Sequence, residues 1–69
     1  MDIDVREYII DNFKNDSIED IKTSINDSIS SKDDDTLIGL GVLLELAWTN
    51  SNKEEQDNIL NNIKKGMTN

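Results

Sequence analysis

The segment from Leu37 to Trp48 constrains the fold most, because it is apolar on nearly every side. It spans twelve positions and contains one ionisable residue, Glu45. A helix that crosses a bilayer needs about 20 apolar residues, so this segment is too short for that role. A helix this apolar must be covered on most of its faces. We expect three amphipathic helices to cover it, and a symmetric dimer would cover any remainder.

Three other segments carry apolar residues at helical spacing, and we interpret each as an amphipathic helix. Their apolar stripes are Val5–Ile9–Phe13, Ile18–Ile21–Ile25–Ile29 and Ile59–Leu60–Ile63–Met67. No long run alternates with a period of two residues, so strands are not expected. The sequence predicts a compact all-α bundle of four short helices in a single domain, 1–69. The predicted helices are 4–14, 18–30, 36–49 and 52–65.

The predicted helix boundaries rest on capping signals. Pairs typical of a capping box are Asp4–Glu7, Ser17–Asp20 and Ser51–Glu54. Asp35 is expected to cap the third helix, where its carboxylate suits the positive end of the helix dipole. Gly66 is expected to end the fourth helix in a left-handed conformation, just after two lysines of the last turn.

The composition excludes several function classes. The chain has no Cys and no His, so it can form neither a disulfide, a zinc finger, a haem site nor a thiol or imidazole catalytic centre. We therefore expect an intracellular protein without a cofactor or a metal. Its acidic start, Asp2 and Asp4, is unlike the basic start of a signal peptide.

The charge balance indicates which partners are improbable. The chain has 7 Lys and Arg against 15 Asp and Glu, a net charge of −8 at pH 7. The basic residues are scattered, and only Lys64 and Lys65 are adjacent. DNA affinity comes largely from clustered basic side chains that displace counterions from phosphates. We expect no direct contact with nucleic acid or with an anionic membrane.

Four residues of the third helix are candidate core or interface anchors. Trp48 is either a core side chain, which we favour, or an anchor for a partner. Glu45 is either a solvated or salt-bridged side chain, which we favour, or a buried general acid. Gly39 and Gly41 each cost about 1 kcal/mol inside a helix. Either a neighbouring helix approaches them closely, which we favour, or the helix begins only after Gly39. No enzymatic activity is expected.

The acidic run from Asp33 to Asp35 admits a calcium-loop hypothesis. A twelve-residue loop starting at Asp34 would place Gly39 sixth and Glu45 twelfth, as an EF-hand requires. Its fifth and ninth positions, however, would be Ile38 and Val42, which have no side-chain oxygen. We therefore interpret the run as a solvated linker.

Two blocks resemble the minor small acid-soluble spore proteins of the I family. They are the start, Met1–Arg6, and the centre, Leu37–Glu45 followed by Trp48. The chain departs from the family pattern at Ile38, where proline is common. The resemblance implies a non-enzymatic protein of the forespore and mature spore core, involved in sporulation, without the DNA coating of the major α/β-type spore proteins. The alternative is an acidic helical interaction module or homodimer that docks through the third helix.

Overall fold

A computed structural model describes residues 4–68, and four α-helices account for most of them. The helices are α1 (Val5–Phe13), α2 (Ile18–Ser31), α3 (Leu37–Thr49) and α4 (Lys53–Met67), with a 3₁₀ turn at Asp34–Thr36 before α3. The described range contains no strand. The predicted compact all-α bundle of four helices is confirmed, and each predicted boundary lies within two residues of the observed one.

Local hydrogen bonds start the first two helices where the sequence predicts. The Asp4 carboxylate accepts a hydrogen bond from the backbone N–H of Glu7 at 3.1 Å. The Ser17 hydroxyl oxygen accepts one from the N–H of Asp20, also at 3.1 Å. Each bond satisfies a backbone donor that the first helical turn leaves without a partner.

The fourth helix starts one residue later than the predicted Ser51–Glu54 box. The capping box is formed by Asn52 and Glu55, whose side chains each accept from the other residue's backbone N–H, at 2.8 and 2.9 Å. Ser51 lies just after α3 and is bonded to that helix instead. Its hydroxyl donates to the carbonyl of Ala47.

The start of the third helix also differs from the prediction that Asp35 caps it. The capping carboxylate belongs to Asp33, which accepts from the N–H of Asp35 at 2.9 Å and so starts the 3₁₀ turn. Thr36 then leads into α3 without a side-chain cap, and its hydroxyl donates to the Asp33 carbonyl at 2.7 Å. The extra turn therefore moves the capping position two residues back.

Left-handed backbone ends α2 rather than α4. Lys32 has φ 52° and is the C-terminal cap of α2. The prediction that Gly66 ends α4 in this conformation is wrong, since α4 continues through Gly66 to Met67. Thr68 caps α4 instead, because its N–H and its hydroxyl both donate to the carbonyl of Lys65, at 3.3 and 3.2 Å.

Helix α3 lies at the centre of the bundle and contacts α1 and α2. Among the described residues only Val42 is buried, at 9% exposure. The half-buried apolar side chains of the other three helices are Ile9, Ile10, Phe13, Ile21, Ile25 and Ile59. The amide of Gln56 on α4 donates to the Trp48 carbonyl at 2.9 Å and ties α4 to α3.

The prediction that three amphipathic helices cover the apolar third helix on most sides is wrong for a single chain. Leu37 and Ile38 are each 59% exposed, and Leu44 is 47% exposed. The covering stripes are narrow, with one apolar residue per turn along much of their length, so they cover one side of α3 and leave the opposite side in contact with solvent. No helix in the described part of the chain is both long and apolar enough to cross a membrane.

Candidate functional site: the exposed face of the third helix

All four candidate residues lie on α3; Gly41, Glu45 and Trp48 are within or beside its uncovered face, whereas Gly39 faces Ile9 of α1. Leu37, Gly41, Leu44 and Trp48 follow one another at helical spacing, and we name this set the α3 stripe. Leu37, Gly41 and Leu44 are exposed, and Trp48 is half-buried. The stripe is therefore an apolar surface on the side of α3 that faces away from Val42.

The burial of Trp48 is intermediate between that of a core side chain and that of an exposed anchor for a partner. Its side chain is half-buried rather than enclosed, and it is the only tryptophan in the chain. Its backbone carbonyl receives the bond from Gln56, which fixes the end of α3 against α4. Trp48 thus holds the end of α3 against α4 through its backbone and lies half-buried at the end of the stripe.

Glu45 borders the stripe and is paired with a residue of α1. The guanidinium of Arg6 donates a hydrogen bond from Nη2 to Glu45 Oε2 at 2.9 Å, and its Nε forms an ion pair with Oε1 at 2.8 Å. Two guanidinium nitrogens therefore lie close to the two carboxylate oxygens, and the hydrogen bond between them is charge-assisted. The side chain of Glu45 is 45% exposed. The alternative that Glu45 is a buried acid is therefore wrong.

The pairing affects the charge of Arg6 in a simple way. The hydrogen bond to Glu45 and then the negative charge of Glu45 raise the pKa of Arg6 above its ordinary value. A raised pKa in the folded state stabilises the fold at every pH below the unfolded value, and the contribution is lost only as the pH rises through the folded value. Arg6 therefore stays charged at every pH at which the protein would be handled.

Both glycines are inside α3, so the alternative of a helix that begins after Gly39 is wrong. The preferred explanation, close approach of a neighbouring helix, also fails within the chain. A Cβ at Gly39 would lie 3.8 Å from Ile9 Cδ1, which is an ordinary contact. A Cβ at Gly41 would meet no described atom within 4 Å. Neither glycine is required by packing among the described residues.

The acidic run and the end of α4 provide no built site. Asp33 is used to start the 3₁₀ turn, and all three aspartates are exposed. Within residues 4–68, no three acidic side chains come together in an arrangement that could hold a metal ion. A shallow polar depression on α4 is open to solvent and is lined by Asn58, Asn61, Asn62, Lys64, Lys65 and Thr68.

Sequence reasoning missed two features of this region. Arg6 is 39 positions from Glu45, and no local pattern links the two residues. The exposure of Leu37 and Leu44 was also missed, although the spacing of the α3 stripe was visible in the sequence. The apolar stripes of the other three helices are narrower than the apolar circumference of α3, and this comparison predicts that part of α3 stays exposed.

Comparison with known proteins places the chain among spore proteins. The family model described as small, acid-soluble spore protein I matches residues 3–67. A small, acid-soluble spore protein I from Geobacillus kaustophilus (strain HTA426) is 34% identical over 67 residues, which cover 97% of each chain. The proteins of the same name from Halalkalibacterium halodurans and Bacillus subtilis (strain 168) are each 31% identical over 97% of this chain, covering 98% and 94% of theirs.

No solved structure matches the chain. The resemblance seen in the sequence is confirmed by the family match, which covers nearly the whole chain. The chain belongs to the small, acid-soluble spore protein I family.

Proposed function

We propose that this chain is a non-enzymatic protein of the forespore and the mature spore core that acts in sporulation without coating DNA. The observation that carries the proposal is the family match over residues 3–67, together with relatives of the same name that align along nearly their whole length. A role in sporulation follows from the family. The compartment and the absence of DNA coating are the parts to be tested.

The geometry of α3 supports a role without catalysis. The single ionisable residue of α3, Glu45, is exposed and held by Arg6, so it is not poised as a general acid in an apolar pocket. The chain also has no Cys and no His to supply a thiol nucleophile or an imidazole base. The residues of α3 favour packing over proton transfer.

The distribution of charge supports a role away from DNA. With a net charge of −8, the chain as a whole repels phosphate groups. Two of its basic side chains are already paired, Arg6 with Glu45 and Lys14 with Asp11 at 3.3 Å. A coat on DNA needs a continuous basic surface, because affinity rises with the number of phosphates that are neutralised.

The compartment can be tested by mass spectrometry of acid extracts from purified spores and from growing cells of the same strain. We expect peptides of this chain in the spore extract alone. Extracts of decoated spores would separate the core from the outer layers. Abundance in growing cells, or loss of the protein with the coats, would contradict the proposed location.

DNA binding can be tested by fluorescence anisotropy of a labelled duplex at about 50 mM salt, where phosphate contacts are strongest. We expect no rise in anisotropy with this protein, and a large rise with a major α/β-type spore protein as the positive control. If binding occurs, Lys64→Glu/Lys65→Glu removes the one pair of adjacent basic residues. Salt-dependent binding that this variant abolishes would overturn the absence of DNA coating.

A second candidate function is protein interaction through α3, and the exposed α3 stripe favours it. Apolar surface that a folded chain leaves in solvent often marks an interaction site. Analytical ultracentrifugation of the purified protein tests it directly. A strict monomer whose Trp48 is shielded from quenchers would remove the need for a partner.

A further inference from the structure

We propose that the α3 stripe is the interface of a homodimer, in which two copies of α3 cross at Gly41. This inference rests on the second candidate function and names its partner, a second copy of the chain. It concerns the face formed by Leu37, Gly41, Leu44 and Trp48, and it is argued from surface area, from the glycine and from charge.

The surface area of one chain exceeds what a folded monomer of its mass normally exposes. The accessible surface is 5956 Å². A folded monomer of 7.8 kDa is expected to expose roughly 4,400 Å². The excess of roughly 1,500 Å² is more than the about 800 Å² that each partner contributes to an interface of standard size. This excess belongs to the whole chain, and the dimer would bury the part of it that lies on the α3 stripe, where Leu37 is 59% exposed and Leu44 is 47% exposed.

Gly41 indicates where two copies would be closest. A glycine inside a helix costs about 1 kcal/mol relative to alanine, and nothing in the described residues of the chain requires one here. Gly41 lies in the middle of the stripe, with Leu37 one turn before it and Leu44 one turn after it. A two-fold axis at Gly41 would let the two backbones approach and would place apolar side chains on both sides of the crossing. Such a face is self-complementary, as a symmetric dimer requires.

The charges permit this face to meet its own copy. The α3 stripe contains no ionisable residue, and the one carboxylate beside it, Glu45, is neutralised by Arg6 of the same chain. The remaining excess of negative charge lies on the other helices and in the linkers, where it repels the second copy from a distance. Screening of that repulsion by salt should strengthen the dimer.

Sedimentation equilibrium of the wild-type protein and of two glycine variants tests the crossing point. We expect a species of twice 7.8 kDa that dissociates on dilution and is tighter at higher salt. Gly41→Ala should fold as well as the wild type, since its Cβ has open space in the monomer, and should weaken the dimer about tenfold by overpacking the crossing. Gly66→Ala is the matched control, because Gly66 is also helical and open, and it should leave the dimer unchanged.

A pair of leucine variants tests the face. Leu44→Lys should weaken the dimer at least about tenfold, because an ammonium would be buried without a partner, although the variant carries less net negative charge. Leu60→Lys on α4 changes the charge equally at a position that is 50% exposed, close to the 47% of Leu44, and should have little effect. The fluorescence emission of Trp48 should shift to shorter wavelength on dimerisation. Leu44→Lys should reduce this shift, and Leu60→Lys should leave it nearly unchanged.

Three results would overturn the inference. The first is a protein that remains 7.8 kDa at about 1 mM and at high salt. The second is a dimer that survives Gly41→Ala and Leu44→Lys unchanged, and the third is a dimer that Leu60→Lys dissociates. A monomer found only in spores would contradict the dimer and leave the proposed spore function intact, so the two failures are distinguishable.

Discussion

Arg6 and Glu45 join the first and third helices through a hydrogen bond from Nη2 to Oε2 at 2.9 Å and an ion pair between Nε and Oε1 at 2.8 Å. The two residues are 39 positions apart, so the contact fixes α1 against α3 rather than stabilising one helix. Both side chains remain in contact with solvent, and their attraction is therefore screened by salt. The pair contributes more to the orientation of α1 against α3 than to the free energy of unfolding of the whole protein.

The geometry of this pair predicts that Arg6→Lys destabilises the fold at low salt. A lysine keeps the charge but cannot bring two nitrogens to the two carboxylate oxygens, since its ammonium is a point charge rather than a planar fork. A double-mutant cycle with Arg6→Ala and Glu45→Ala, followed by urea unfolding, measures the coupling. The pair Asp11–Lys14, at 3.3 Å within one turn, is the control and should show weaker coupling. Equal stability of Arg6→Lys and wild type at low salt would contradict the prediction.

Val42 is the position where truncation should be most harmful. Val42→Ala removes two methyl groups from the most enclosed side chain of the bundle, and we expect a loss of about 1.5 kcal/mol in the free energy of unfolding. Ile18→Ala is the control, because Ile18 is 84% exposed and its truncation should change stability by less than about 0.5 kcal/mol. Urea unfolding followed by circular dichroism measures both, and similar losses would mean that Val42 is not the centre of the core.

The capping box of α4 predicts a loss of stability when the side chain of Asn52 is removed. Asn52→Ala should cost about 1 kcal/mol, because the N–H of Glu55 loses its acceptor at 2.8 Å. Asn62→Ala makes the same change in the exposed interior of α4, where alanine favours the helix, and should be neutral or slightly stabilising. Thermal unfolding separates them. Equal effects would place the start of α4 elsewhere.

The left-handed residue at the end of α2 predicts an unusual gain. Lys32→Gly should stabilise the protein by up to about 1 kcal/mol, because a residue with a side chain is strained at φ 52° and glycine is not. Lys22→Gly is the matched control inside the same helix and should cost about 1 kcal/mol. The two substitutions remove the same charge, so opposite signs in thermal unfolding would report backbone conformation alone. A loss at both positions would contradict the left-handed end.

Local signals predicted more of this fold than long-range ones. Asp4 and Ser17 cap the first two helices as the local patterns predict. Each accepts a hydrogen bond from the backbone N–H three residues ahead. At the start of α4, either Ser51 or Asn52 could act as the N-terminal cap. Asn52 is the cap because the Ser51 hydroxyl is bonded to the end of α3. That competition depends on where the preceding helix stops, which the local pattern does not specify.

The face of α3 could be only partly predicted, for a different reason. The sequence places Gly41 and Trp48 on one stripe, but whether another helix covers that stripe depends on how α1, α2 and α4 are arranged. The partner of Glu45 likewise depends on the packing of α1, since nothing near Glu45 in sequence indicates Arg6. Periodicity therefore identifies the faces of helices, and tertiary arrangement decides which faces meet.

Acid should change the net charge of the protein from negative to positive. Its solubility should therefore pass through a minimum and then recover as the pH falls. The net charge is −8 at pH 7, and protonation of the 15 carboxylates leaves the 7 basic side chains. We expect the soluble fraction to be lowest near pH 4.1, where the net charge is close to zero, and to recover at about pH 2 through repulsion between positive chains. Centrifugation and absorbance across this range measure it. About 1 M salt screens that repulsion and should reduce the recovery, whereas a precipitate that persists at low pH and low salt would contradict the charge argument.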